Sequence, residues 1–225
     1  MECRIPVRRL LPLVLLLGFA TAGCGPSQQK GEAQGDAQGG APAGAAPQAE
    51  RRFVEKSFDV DPALLGYTYD DSTLGIRFAP PRGWAPLDEE MFGQVRAALE
   101  RIQLPEHHFV SRPVRIFYGE AQHGYMIVSE FRNWPTPLDA VAAMDEYRSM
   151  VAATDADLAL HESVYRHGKL DVYQLILTNP LMVDTRLIAM REGRPPVQID
   201  YLVPLGALEA VGKAIEASVG SIAAI

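Results

Sequence analysis

The chain has 225 residues, a formal net charge of −7, 48% hydrophobic residues and only two cysteines. An acidic balance gains nothing electrostatically from phosphate backbones, and no basic stripe with interleaved aromatics is present, so no nucleic-acid partner is expected. Cys3 and Cys24 are the only thiols, which leaves the chain beyond them without a disulfide or a cysteine-based metal site.

The first 23 residues read as a secretory signal. Arg4, Arg8 and Arg9 precede an apolar run from Leu10 to Ala20, and small residues follow. The run is 11 residues long, whereas crossing a bilayer core takes roughly 17–25. Thr21-Ala22-Gly23-Cys24 resembles the lipobox of bacterial lipoproteins, with Thr21 where that pattern usually carries Leu, Val or Ile. The resemblance implies that the Cys24 sulfur receives a diacylglycerol, that the chain is cut before it, and that the new amino terminus is acylated with a fatty acid such as palmitate. Cys24 is then the lipid attachment site and the only cysteine of the mature chain. The alternative is an ordinary secretory signal cut near Ala22 or Gly23. Removal of residues 1–23, with three Arg and one Glu, leaves a mature charge near −9.

Residues 24–51 form the lipid-bearing cysteine and its linker. Of positions 25–50, 21 are Gly, Ala, Gln or Pro, and none is aromatic or β-branched. Such a segment buries too little apolar surface to offset the entropy of ordering. As a coil it holds a domain about 25–30 Å from the membrane.

Residues 52–225 have globular composition and are numerous enough for one well-buried core. A strand is predicted over Leu74–Ala79, turned by Pro80-Pro81-Arg82-Gly83. A helix follows, with Phe92, Val95, Leu99 and Ile102 on one stripe and Asp88, Glu89 and Glu90 at its N-terminal end. Strands near 109–118 and 124–132 are joined by Gly119 to Gly124. The next helix opens with Thr136 as N-cap, Pro137 at its first position and Asp139 in the capping-box place. Its face is Ala140, Met144, Tyr147 and Val151. Four strand-like segments come next, near 157–166, 169–178, 181–191 and 196–203, punctuated by Gly168, Asn179-Pro180 and Gly193. A last helix carries Leu208, Val211, Ile215 and Ile222. Consecutive strands with short turns predict an α+β fold, an antiparallel sheet of about six or seven strands covered by helices.

Tyr67-Thr68-Tyr69-Asp70, then Gly75-Ile76-Arg77-Phe78-Ala79-Pro80-Pro81-Arg82-Gly83-Trp84, resembles the opening hairpin of the PsbP-like superfamily. That pattern is a short strand leading to Pro-x-Gly-Trp. The element order over residues 67–225 is similar too, including the Thr-Pro opening of the middle helix. The superfamily includes the photosystem II extrinsic subunit and bacterial envelope lipoproteins of the DcrB and LpqN types. It implies an assembly, binding or accessory role, although a shared fold transfers none of these by itself.

No motif points to catalysis. His107 and His108, with Glu106 or Glu120 nearby, invite a metal reading. Adjacent residues of extended chain point to opposite sides, so a polar loop is expected and no metal site is assigned. His161 and His167 flank Glu162 and Tyr165 on a strand and are expected at its surface or edge. Asp70-Asp71 with Ser72-Thr73 is a turn composition. Ser163 and Ser221 lack a nucleophile-elbow context. Trp84 is expected in the core under the first helix, with Met182 and Met190 as core filler. Trp134, in a loop before a helix, is the candidate binding residue; packing against that helix is the alternative.

These readings predict a non-catalytic domain with no cofactor. The chain is held at a bacterial cell envelope by its N-terminal lipid, with the domain outside the cytoplasm, periplasmic or at the surface. Its partner is an unidentified protein, met on the sheet face or edge left uncovered by helices. The competing class is a small-molecule or lipid carrier, or an enzyme, using a pocket between sheet and helices.

Overall fold

The computed structural model describes residues 53–102, 109–132, 134, 140–153 and 158–225. Cys24, the linker, Glu106, His107, His108, Thr136, Pro137 and Asp139 lie outside the described residues.

The strands of the main sheet are β1 (Val54–Glu55), β4 (Ala85–Pro86), β5 (Ser111–Gly119), β6 (Gly124–Phe131), β7 (Ala159–His167), β8 (Leu170–Thr178), β9 (Met182–Arg191) and β10 (Arg194–Pro204). Their spatial order is β1-β7-β8-β9-β10-β6-β5-β4. A small sheet joins β2 (Tyr69–Asp71), β3 (Ile76–Phe78) and β11 (Ala223–Ala224) in the order β11-β3-β2. Helices α1 (Glu89–Ile102), α2 (Ala140–Ala152) and α3 (Leu208–Gly220) complete the α+β fold.

Two features differ from the expected antiparallel sheet. The large sheet has eight strands and is mixed, because β1 runs parallel to β7 while the other pairs are antiparallel. The predicted first strand, β3, is not part of it; it pairs with β2 and with the C-terminal β11. Neither the β1–β7 nor the β3–β11 pairing has a local signature. β1 and β4 are two residues long and carry no alternation to detect, and β11 meets β3 across most of the domain's length.

The β7–β10 meander follows from its alternation and its turns. Glu192-Gly193 closes β9 on β10, with Gly193 at φ 71°, a left-handed conformation that glycine adopts without steric cost. Between β8 and β9, Asn179 Oδ1 accepts from the backbone N–H groups of Leu181 and Met182 at 2.9 and 2.8 Å.

Both faces of the sheet are covered. On one face α1 buries Met91, Val95 and Leu99 against Ile116, Tyr118, Tyr125, Ile127 and Leu202. Met91 leads this stripe and Phe92 is half-buried beside it. Asp88 caps the helix, its Oδ1 accepting from the Met91 N–H at 2.8 Å. Beside α1, α2 buries Ala143, Met144, Tyr147 and Val151 against Tyr173, Leu175, Leu177 and Ile188. The opposite face is closed by α3 and the small sheet, through Val211, Ile215, Val219, Ile76 and Phe78. Ile222 is buried there too, but beyond the end of α3 at Gly220.

Trp84 belongs to this second face, in the core that contains α3, and not beneath α1 as expected. It lies across the ends of the β5–β6 hairpin. A Cβ at Gly119 would overlap the indole, and one at Gly124 would sit 2.8 Å from Trp84 Cζ2 and 2.9 Å from Val203 Cγ1. Both glycines are required by this close approach. Gly119→Ala is expected to lower unfolding stability by about 1–3 kcal/mol through overpacking. Urea titration followed by tryptophan fluorescence checks it, with the m-value unchanged.

Candidate functional site

Among the described residues, the buried charged side chains lie on the face beneath α1 and α2, along the two central strands. Register pairs Asp184 with Leu202, Arg186 with Asp200 and Ile188 with Gln198, so all six side chains share that face. Ile188 belongs to the α2 core and Leu202 to the α1 core. The polar cluster therefore runs along the seam between the two helices.

Arg186 is its centre. Its Nε donates to Asp200 Oδ1 at 2.5 Å, its Nη2 to Asp184 Oδ2 at 2.8 Å, and its Nη1 to the Tyr147 hydroxyl of α2 at 3.0 Å. Tyr147 in turn donates to Gln198 Oε1 at 3.0 Å, and Gln198 Nε2 donates to Asp200 Oδ2 at 2.8 Å. One atom is left over: Asp184 Oδ1 is buried with no hydrogen-bond partner. Asp184, Gln198 and Asp200 are 9%, 5% and 4% exposed.

The electrostatics follow from that geometry. Two carboxylates face one guanidinium, so the fully ionised cluster carries one uncompensated negative charge in a largely buried site. Burial pushes the Asp184 carboxyl up to about 7, against the attraction of Arg186 and with the Asp200 charge adding to the rise. Burial acts to lower Arg186, but the attraction of Asp200, Tyr147 and Asp184 outweighs it and holds the guanidinium well above its usual value. Burial also raises the Tyr147 hydroxyl to about 12. The cluster can therefore take up and release one proton, at Asp184. Its remaining donors and acceptors are engaged with one another.

The residues singled out from sequence are scattered. Trp134 is half-buried, its ring 5.3 Å from Phe109 and 4.9 Å from Phe131, on the edge of the α2 core. His161 is exposed on β7, whereas His167 at the end of that strand meets two backbone carbonyls. Asp70 makes a two-bond pair with Arg77, at 2.5 and 2.9 Å, across the β2–β3 hairpin. Ser163 donates to Gln174 Oε1 at 3.1 Å, and Ser221 to the Ser218 carbonyl at 2.6 Å. Met182 packs on the α1 core and Met190 on the α2 core. Glu120 is exposed at the β5–β6 turn. Among the described residues, no three His, Cys, Asp or Glu side chains are grouped so as to hold a metal ion.

The sequence reading missed Asp184, Arg186, Gln198 and Asp200. The available signal was polar residues at period-two positions within strands whose other same-face residues are apolar, as in Met182-x-Asp184-x-Arg186-x-Ile188. Comparison with protein-family models and with curated proteins finds no match.

Two outcomes are expected here. Because folding raises the Asp184 pKa from 3.8 to about 7, the folded state binds this proton more tightly than the unfolded chain. Stability from this group is fully present below about pH 4, falls as pH rises toward 7, and levels off above it. Asp184→Asn holds the neutral form at every pH, so its unfolding free energy, measured by urea titration across that range, is expected to show a shallower fall than the wild type. Arg186→Met strands two buried carboxylates and is expected to cost about 3–5 kcal/mol at neutral pH. The same urea titration reads it.

Proposed function

We propose that this chain is an envelope lipoprotein whose folded part is a PsbP-like, non-catalytic binding domain, accessory to the assembly or maintenance of an envelope complex. Cys24 carries the lipid, residues 25–50 are the tether, and the partner is a protein. The observation that carries the anchor is the run of small residues into Cys24, directly after an apolar stretch too short to cross a bilayer. Two acyl chains or more, at about 0.8 kcal/mol per buried CH₂, hold such a protein stably at a membrane.

The PsbP-like assignment is supported by the Gly83-Trp84 step that follows the β2–β3 hairpin and sets the indole on the β5–β6 turn. A binding role is favoured over catalysis because the buried network of Arg186, Asp200, Gln198 and Tyr147 spends its hydrogen bonds internally. The carrier alternative needs a pocket between sheet and helices. Among the described residues, one cavity between the sheet and α3, bounded by Tyr165, Leu170, Leu187 and Val219, has a volume of about 10 Å³, room for one water.

With helices or the small sheet over both faces, the surface left for a partner is an edge. Among the described residues, β5 pairs outward with β4 only at Phe117 and Tyr118, leaving Ser111–Arg115 at the margin. Trp134 stands at that end of the sheet, against Phe131, which pairs with Ser111. This edge with Trp134 is the proposed contact.

Membrane fractionation tests the anchor: Cys24→Ala is expected to move the protein from the salt-washed membrane to the soluble fraction. A variant that stays membrane-bound overturns it. For the contact, a photo-crosslinker at Arg112 is expected to capture one protein reproducibly, and Trp134→Ala to weaken that capture at least tenfold while urea stability shows the domain still folded. Equal capture from a control position at Glu216 counts against this edge.

A further inference from the structure

Where the chain joins the sheet, residues 53–60 lie as a strap over two elements at once. Val54 and Glu55 pair in parallel with Tyr165 and Arg166 of β7, and the Lys56 N–H donates to the Arg166 carbonyl at 2.8 Å. Phe58 then sets its ring edge-on to Tyr165 and His167, at centroid distances of 5.6 and 5.1 Å. At the end of α3, a Cβ on Gly220 would come within 2.7 Å of Val60 Cγ2, so the strap crosses the helix terminus in close contact.

His167 sits where strap, strand and helix meet. Its Nδ1 is 3.2 Å from the Lys56 carbonyl oxygen and its Nε2 is 3.1 Å from the Gly220 carbonyl oxygen. Carbonyl oxygens only accept, and a neutral imidazole carries a single N–H. Both hydrogen bonds are made together only by the imidazolium. We propose that His167 is a proton-operated clasp, bridging the Lys56 carbonyl of the strap and the Gly220 carbonyl of α3 as the cation and releasing the strap carbonyl as the neutral ring.

The surroundings suit that switch. Gly220 ends α3, where the helix dipole favours a cation, and the last turn of α3 has no basic residue to take that place. Deprotonation removes one donor and turns a nitrogen lone pair toward a carbonyl oxygen. The other charged groups on the packed elements have their own positions. From the strap, Lys56 Nζ lies over the rings of Phe58 and Tyr165, Glu55 accepts from the Gly168 N–H, and Asp59 is exposed. From β7 and its turn, Arg166 pairs with Asp171 at 2.7 Å and Lys169 is exposed; from α3, Glu216 is exposed. Tyr165 has its hydroxyl buried without a partner.

The consequence for reach rests on the lipoprotein reading: eight released residues would lengthen the tether by up to about 25 Å. The clasp itself does not depend on that reading. An exchange result and a Cys24→Ala fractionation can fail independently.

Amide hydrogen exchange on the full chain, corrected for intrinsic rates, tests it at about pH 5.5 and about pH 8, on either side of the ordinary histidine range. The Lys56 amide is expected to be protected at least about tenfold more at the acid pH. His167→Ala is expected to lose that difference, while β6 amides such as Ile127 keep their protection. Asp184 titrates in the same window on the other face of the sheet, so the comparison is repeated in Asp184→Asn, where the difference at Lys56 should persist. The His167 ring ¹⁵N shifts of the wild type supply a reading that needs no variant, and are expected to show the imidazolium whenever Lys56 is protected. Equal protection at both pH values, a difference that survives His167→Ala, or a neutral ring with the strap protected overturns the proposal.

Discussion

Strands β9 and β10 lie in the middle of a sheet whose two faces are both covered, so their polar atoms must find partners inside the protein. On the side of α3 and the small sheet the requirement is met by apolar alternation, with Val183, Leu187, Ala189, Val197, Ile199 and Val203 pointing into one core. Polar side chains on that side also find partners: the Tyr201 hydroxyl lies 2.8 Å from Ser218 Oγ of α3, and Arg191 donates to the Leu74 and Gly75 carbonyls. On the other side two helices lie side by side and cannot both seal the strip between them. The chain fills that strip with Arg186, Asp184, Asp200, Gln198 and Tyr147, a network in which a guanidinium fork spans two strands and reaches a helix. An apolar filling of similar volume would often be as stable. The network instead gives the seam a direction and a register, because only one placement of α2 brings Tyr147 to both Arg186 and Gln198.

That arrangement leaves an odd charge. Asp200 is bonded through both oxygens, whereas Asp184 uses only one. Of the two acids, Asp184 is therefore the one that yields its charge, and burial is the leading cause. The central sheet thus holds a carboxyl that burial pushes up to about 7. Raised carboxyls arise both at functional sites and in structural ion-pair networks, and here the leading cause is burial in the seam between the helices.

Much of the fold was legible in the sequence for local reasons. The β7–β10 meander shows itself through alternation and two-residue glycine turns, and α1 through its acidic N-terminal turn and its apolar spacing. What could not be read was placement. Trp84 looked like core and is core, but which core depends on Gly119 and Gly124 making room for it on the α3 side. Charges on a strand ordinarily mean a wet face, so Asp184, Arg186 and Asp200 looked unremarkable until both faces proved to be covered. Likewise the sheet edge that β1 occupies is invisible in a two-residue pairing with no hydrophobic pattern.

The least legible contact joins the segments farthest apart. Lys56, His167 and Gly220 are separated by 111 and 53 positions, yet one imidazole spans a strap carbonyl and a helix carbonyl. Sequence placed His167 at a strand end and could go no further, because its partners are backbone oxygens, which every residue supplies. The physical meaning lies in the partners' sameness: two acceptors flanking a ring with one N–H in its neutral form. Acceptor count, not residue identity, makes this histidine different from His161, which is exposed on the same strand. The Asp184 and His167 arrangements share one origin, an imbalance between fixed donors and acceptors. At Asp184 there is one carboxylate more than the guanidinium can match, and at His167 one carbonyl more than a neutral ring can serve.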